Sequence, residues 1–213
     1  QINPRIQIIG VQAEGAPAIA NSFRTGERTP SDTVHTIADG IAVKTPGEKT
    51  FEYIKQYVDR VVTVSDDEIA SAVLLLLERC KQVVETSGAA PLAAVLNNKV
   101  DVKGKKVVCV LSGGNIDVSF IHKIVEKGLI TRCRQLKFSV LMPDAPGALE
   151  HFSHIVAQQN ANIILFQHDR VQTDLEIGEA IIHVVCEVGG VDHAKRLINT
   201  LTADGYKVFT SQI

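Results

Sequence analysis

The chain has 213 residues, 45% hydrophobic and 22% charged, the composition of a soluble globular protein with room for one large domain or two small ones. Its 22 basic and 24 acidic residues are interspersed, and the net charge of −2 supplies none of the clustered positive charge that a nucleic-acid surface needs. No apolar run approaches the roughly 20 residues that span a bilayer, so neither nucleic acid nor membrane is an expected partner.

In chain order, Ile6-Gln7-Ile8-Ile9-Gly10-Val11 opens as a strand already under way. With no initiating Met and no signal pattern, this is expected to be a piece of something longer. Further strands are expected at 61–64, 107–111, 137–142, 162–166 and 180–187. Ser65 is a plausible N-cap for a helix opening on Asp66-Asp67-Glu68, with Glu68 at the capping-box position and acids at the positive dipole end. Its apolar positions Ile69, Val73, Leu76, Leu77 and Cys80 keep helical spacing. That period, closed by Glu78, Arg79 and Lys81, makes the apolar run from Ile69 a buried helix face. A second helix follows Gly88-Ala89-Ala90. The apolar run 107–111 reads as a strand buried on both faces. Asn115 reads as the cap of a third helix that ends near Gly128. Cys80, Cys109, Cys133 and Cys186 have no metal-ligand spacing and read as reduced structural thiols of a cytoplasmic protein.

The texture changes after Arg132-Cys133-Arg134. LKFSVLM, PGALEHFSHIVAQQ, NIILFQHDR, EAIIHVVCEV, VDHAKRLINTLTADG and YKVF read as strand, helix, strand, strand, helix, strand. Asp144 or Ala145 would cap the first of these helices, with Pro146 near its first turn. Gly178 marks a turn and Gly205 a helix end. The expected domains are therefore 1–134, alternating α/β, and 135–213, a ferredoxin-like βαββαβ sandwich.

IIGVQAEGAPA, TIADGIAVKTPGE, VVTVSDDEIASA, VVETSGAAPLAA and VLSGGNID occur in an order and spacing that resemble the C-terminal part of the catalytic domain of biodegradative threonine dehydratases (threonine ammonia-lyases). These are pyridoxal-phosphate enzymes of fold type II, the tryptophan-synthase-β-like fold. Residues 135–213 resemble an ACT domain, whose DxPGxL signature stands here as Asp144-Ala145-Pro146-Gly147-Ala148-Leu149.

The resemblance implies a parent that converts L-threonine, or L-serine, with pyridoxal phosphate as cofactor. It assigns the Ser112 hydroxyl to the cofactor's pyridine nitrogen, with Gly113 and Gly114 giving the ring close backbone approach. A carboxylate there would keep that nitrogen protonated and the electron sink strong; a hydroxyl does not. Gly40 resembles the backbone wall beside the cofactor, and Glu85 the acid at the substrate end. Glu14 and the Ala18 carbonyl resemble a cation site, although Ala20 stands where some relatives supply a second carboxylate. His151 and His154, three apart on one helix, have no third metal ligand in sight.

The resemblance places the family's reactive lysine and its phosphate-cradling glycine loop before residue 1. Ser22-Phe23-Arg24 only echoes the lysine motif, because a guanidinium does not take the lysine's part. The chain alone is thus expected to bind no cofactor and to be inactive. The ACT likeness implies a homo-oligomer and an amino-acid or nucleotide effector at Asp144, Pro146, Gly147, Leu149 and Asn162. The alternatives are a stand-alone small-molecule-binding ACT module, or a related serine dehydratase or racemase.

Overall fold

The computed structural model describes residues 3–170 and 176–210. They fall into two compact units, residues 1–125 and 126–213. The division lies inside a helix rather than at residue 134.

In the first unit, β1 (Ile9–Ala13) and β2 (Arg60–Val64) pair in parallel, with Ile9 opposite Arg60 and Ala13 opposite Val64. A parallel pair needs a long crossover. Here α1 (Ala18–Thr25), a 3-10 turn at Asp39–Ile41 and α2 (Glu48–Tyr57) lie between the strands. The sequence reading missed both helices. β2 leads into α3 (Asp66–Leu75), which continues as a π-turn to Cys80. The expected capping box is present: Glu68 N–H donates to Ser65 Oγ at 3.3 Å, and Ser65 N–H donates to Glu68 Oε2 at 2.8 Å. α4 (Thr86–Leu96) presents Gly88, Ala89, Ala90, Ala93 and Ala94 to the interior. Such small residues let it share one core with Val64, Ile69, Val73 and Leu76.

The strand expected at 107–111 does not form. Among the described residues the segment has no ladder partner, and Val108 and Val110 are 88% and 69% exposed. Its apolar pattern is intact, but among the described residues β1 and β2 make up the whole sheet of this unit. A strand exists only through its neighbours, so the pattern stays unrealised. Cys109 consequently lies outside any strand. The cap expected at Asn115 is also displaced: α5 (Val118–Thr131) begins after Asp117, whose carboxylate accepts from Ser119 N–H at 2.6 Å. Bonds from the Ser119 side chain and backbone hold the Asp117 carboxyl below its ordinary range. The helix also runs through Gly128 to Thr131.

The second unit has β3 (Gln135–Pro143), α6 (Ala148–Gln158), β4 (Asn162–Asp169), β5 (Glu179–Glu187), α7 (Val191–Ala203) and β6 (Lys207–Phe209). Its strands form an antiparallel sheet in the order β4-β5-β3-β6. Strand side chains alternate between faces. Leu136, Phe138, Val140 and Met142 of β3, with Ile182, Val184 and Cys186 of β5, bury into one core with Phe152, Ile155 and Val156 of α6 and Leu197 and Leu201 of α7. Gly178 and Gly205 have φ of +94° and +95°, the left-handed backbone their punctuating role predicts. β4 carries a register shift between Ile163 and Leu165.

Candidate cofactor and substrate site

Three stretches far apart in sequence meet at the N-terminus of α4. Glu85 sits at its N-cap position, and its backbone N–H donates to the Gly113 carbonyl at 3.3 Å. Its Oε2 accepts from Asn115 N–H, also at 3.3 Å. Thr86 Oγ1 donates to the Ile37 carbonyl at 2.8 Å and so draws in the Ala38-Asp39-Gly40 turn.

The glycines here are required by contact. A Cβ on Gly88 would stand 1.8 Å from the Ser112 carbonyl oxygen, and one on Gly113, whose φ is +76°, 2.4 Å from Glu85 Cδ. On Gly40 it would lie 2.8 Å from Ser87 Oγ and 3.4 Å from Glu85 Oε1. Gly40, Glu85 and Gly113 therefore form one cluster, joined to Ser112 through Gly88. Ser112, Gly113 and Gly114 are exposed. Ser87 and Gly88 belong to this cluster and were not singled out from the sequence. The only available signal was their position immediately after Glu85 in VVETSGAAPLAA.

The bare backbone at Gly40 and Gly113, where side chains would collide or strain, the neighbouring Gly114 and the exposed neutral hydroxyl at Ser112 fit one wall for a flat heteroaromatic ring. The cluster contains no lysine.

Glu14 lies elsewhere. Its Oε1 is 3.5 Å from Lys99 Nζ, which is also 3.1 Å from Glu68 Oε1. The hydrogen bond to Glu68, outweighing partial desolvation and aided by the Glu14 charge, raises the Lys99 pKa. Ala18 is buried at the start of α1. Among the described residues no group of three or more His, Cys, Asp or Glu gathers as metal ligands would. His151 instead meets Asp204 Oδ2 at 2.7 Å, and His154 meets Gln158 at 2.9 Å.

In the second unit the N-cap of α6 is Gly147 rather than Asp144 or Ala145, with a φ of +88°. Pro146 therefore precedes the helix. Nothing lies within 4 Å of a Cβ placed on Gly147, so glycine serves the backbone conformation there. Asp144 is engaged by Arg170 Nε at 3.0–3.1 Å, with His168 at 3.8 Å, and its N–H donates to the Gly178 carbonyl at 2.8 Å. Leu149 is exposed. Asn162 bonds Glu187 at 3.0 Å. Because Pro143 pairs with Glu179 while Asn162 pairs with Glu187, Asn162 and Asp144 lie at opposite ends of one sheet. The protomer does not bring them together.

The glycine-lined cluster following parallel strands belongs to a known class: residues 1–113 match the family described as pyridoxal-phosphate dependent enzyme, and the chain belongs to that family. Within it, the chain is 45% identical over 207 residues to an L-threonine ammonia-lyase of Thermotoga maritima, covering 97% of this chain and 51% of that protein. An L-threonine ammonia-lyase of Geobacter sulfurreducens is 44% identical over 208 residues, 98% of this chain and 52% of its own length. The solved structure of a processed threonine deaminase isoform from Solanum lycopersicum superposes with a TM-score of 0.54 at 35% identity, covering 59% of this chain and 37% of that one. The chain thus spans about half the length of the curated relatives it matches. No helix among the described residues is long and apolar enough to cross a membrane.

Proposed function

We propose that this chain forms one wall of the active site of an L-threonine ammonia-lyase, which converts L-threonine to 2-oxobutanoate and ammonia, and that its second unit is a regulatory ACT module. The observation that carries the reading is the match to named L-threonine ammonia-lyases over nearly the whole chain, second unit included. It also favours threonine chemistry over the serine racemase alternative. The reactive lysine and the phosphate loop would come from the part of the relatives' length that the chain does not span, so alone it would be inert.

Pyridoxal phosphate, when bound, supplies the electron sink that loosens bonds at the substrate's α-carbon. Ser112 would give the ring nitrogen a neutral hydrogen bond and leave it unprotonated, favouring prompt loss of the β-hydroxyl. Gly40, Gly113 and Gly114 would let backbone lie flat against the ring. Glu85, fixed by the Asn115 N–H, would face the substrate's hydroxyl and carry a proton at that oxygen.

In the full-length parent, Ser112→Ala should lower threonine turnover by about 100-fold while cofactor absorbance is retained. Undiminished turnover would remove Ser112 from the ring nitrogen.

For the second unit, the βαββαβ order and the β4-β5-β3-β6 sheet support a ferredoxin-like ACT reading. The free N–H groups at the start of α6 would receive an effector carboxylate or phosphate. With Asp144 and Asn162 at opposite sheet ends, both would serve one ligand only across a homo-oligomer interface. Calorimetric titration of the chain with branched-chain amino acids and adenine nucleotides tests this; silence from both classes would leave the unit a structural element.

A further inference from the structure

Ile9, Val11 and Ala13 of β1 pack into the core shared with α3 and α4, so alternation turns Gly10 and Gln12 to the opposite face. Gln12 is 4% exposed. Its Oε1 accepts from Ala20 N–H in α1 at 2.9 Å, which settles which end of the amide carries the hydrogens. That end, Nε2, has no hydrogen-bond partner among the described residues. A buried donor without an acceptor is costly, so the position calls for an oxygen.

There is room for one. Gln12 lines a cavity of about 310 Å3, within the range that holds small molecules. Gly10 lines it too, and a Cβ there would meet Val61 and Val58 across the space at 3.4 and 3.6 Å. The remaining side-chain walls are Ile19, Ile41, Val43 and Ile54, which, like Val58 and Val61, are half-buried. Among the described residues Gln12 is the one polar side chain in the lining, and none is charged. A carboxylate or ammonium would therefore give up its hydration for one amide and no counter-ion. That excludes free amino acids, threonine included. One amide is also too little for an ordered water, which takes about two to four polar partners.

We propose that this cavity is a binding site for a small, neutral, branched aliphatic molecule bearing one carbonyl or hydroxyl oxygen. The oxygen accepts from Gln12 Nε2, and the hydrocarbon part packs on the surrounding isoleucines and valines. Gly40 lines this cavity and also belongs to the cluster around Glu85 and Gly113. An occupant thus touches the same turn that walls the proposed cofactor site, while its chemistry differs from that of the zwitterionic substrate.

The test titrates isotope-labelled chain with methyl isobutyl ketone and follows it by NMR. Saturable binding with a Kd of ~1 mM or tighter is expected. The Gln12 side-chain amide protons should shift together with the Val43 and Ile54 methyl groups. Valine and isovalerate at the same concentrations should leave all of these in place. Gln12→Met, which removes the donor but keeps the length of the side chain, should weaken ketone binding by ~10-fold. Val43→Phe, which fills the space and leaves the donor, should abolish it, with the amide pattern of β1 and α4 as in the wild type. Absence of saturable shifts in the wild type, undiminished binding by Gln12→Met, or isovalerate binding as well as the ketone would overturn the proposal. The same titration of the full-length parent is the second arm. Binding by this chain that the parent lacks would assign the cavity and the Gln12 donor to the parent's own polypeptide, and would overturn the proposal too. Threonine deamination enters none of these readouts, so their failure leaves the proposed activity untouched.

Discussion

β5 and the 107–111 segment are built from the same kind of sequence, short runs of Val, Ile, Leu and Cys, and they have opposite fates. β5 has β3 on one side and β4 on the other, so Ile182, Val184 and Cys186 are at most 2% exposed. The 107–111 run has no strand neighbour among the described residues, and its valines face solvent. Hydrophobicity supplies the motive for burial, but the ladder partner decides whether a strand exists. Among the described residues β5 has both its ladder partners within the second unit, whereas 107–111 has none.

Four measurements would break or sharpen that contrast. The largest effect belongs to Phe152, fully buried against Phe138 and Tyr206. Phe152→Ala should cost about 3–5 kcal/mol in the denaturant transition of the second unit and leave that of the first in place. A shared loss would mean that the units do not unfold separately.

Cys186 comes next. Burial pushes its thiol from 9.0 up to about 12. A raised acid favours the folded state while it stays protonated. The contribution is therefore complete below pH 9 and is lost as pH climbs from 9 toward 12, at about 1.4 kcal/mol per pH unit. Cys186→Ala should flatten that alkaline decline relative to the wild type in matched pH titrations.

Two valines then test the comparison directly. Val140→Thr, at a position with no exposure in β3, should cost about 1–3 kcal/mol for a buried hydroxyl. Val108→Thr in the free chain should stay within about 0.5 kcal/mol. Equal costs would show that 107–111 is covered in solution.

Between these two in size, Ser65→Ala should remove the capping box and about 1 kcal/mol from the first unit alone. Helical signal and the first unit's midpoint report it.

The elements legible from sequence were those whose signals are local. The capping box at Ser65 and Glu68, the left-handed glycines at 178 and 205 and the alternation in β3 and β5 each depend on residues within a few positions, and each formed as read. What failed depended on partners or competing caps. The 107–111 pattern could not disclose a missing neighbour. Asn115 lost the cap to Asp117, whose carboxylate reaches the Ser119 N–H, and its own N–H went to Glu85, thirty residues away. Gly147 took the cap expected of Asp144 because the helix begins only at Ala148, after a left-handed turn that glycine accommodates. In the cluster, Glu85, Gly40 and Ser112–Gly114 were legible through family resemblance. Ser87 and Gly88 emerged only when the fold set them against Gly40 and the Ser112 carbonyl.

The register shift in β4 has a consequence for shelf life. β4 is an outer strand of its sheet, and between Ile163, opposite Cys186, and Leu165, opposite Val185, Ile164 is an extra residue, 44% exposed. A bulge there bends the rim and interrupts the even row of donors and acceptors that a growing fibril would copy. Deleting Ile164 would straighten that rim. Concentrated stocks of the shortened protein should thicken into thioflavin-positive polymer within a storage time over which the parent chain stays clear.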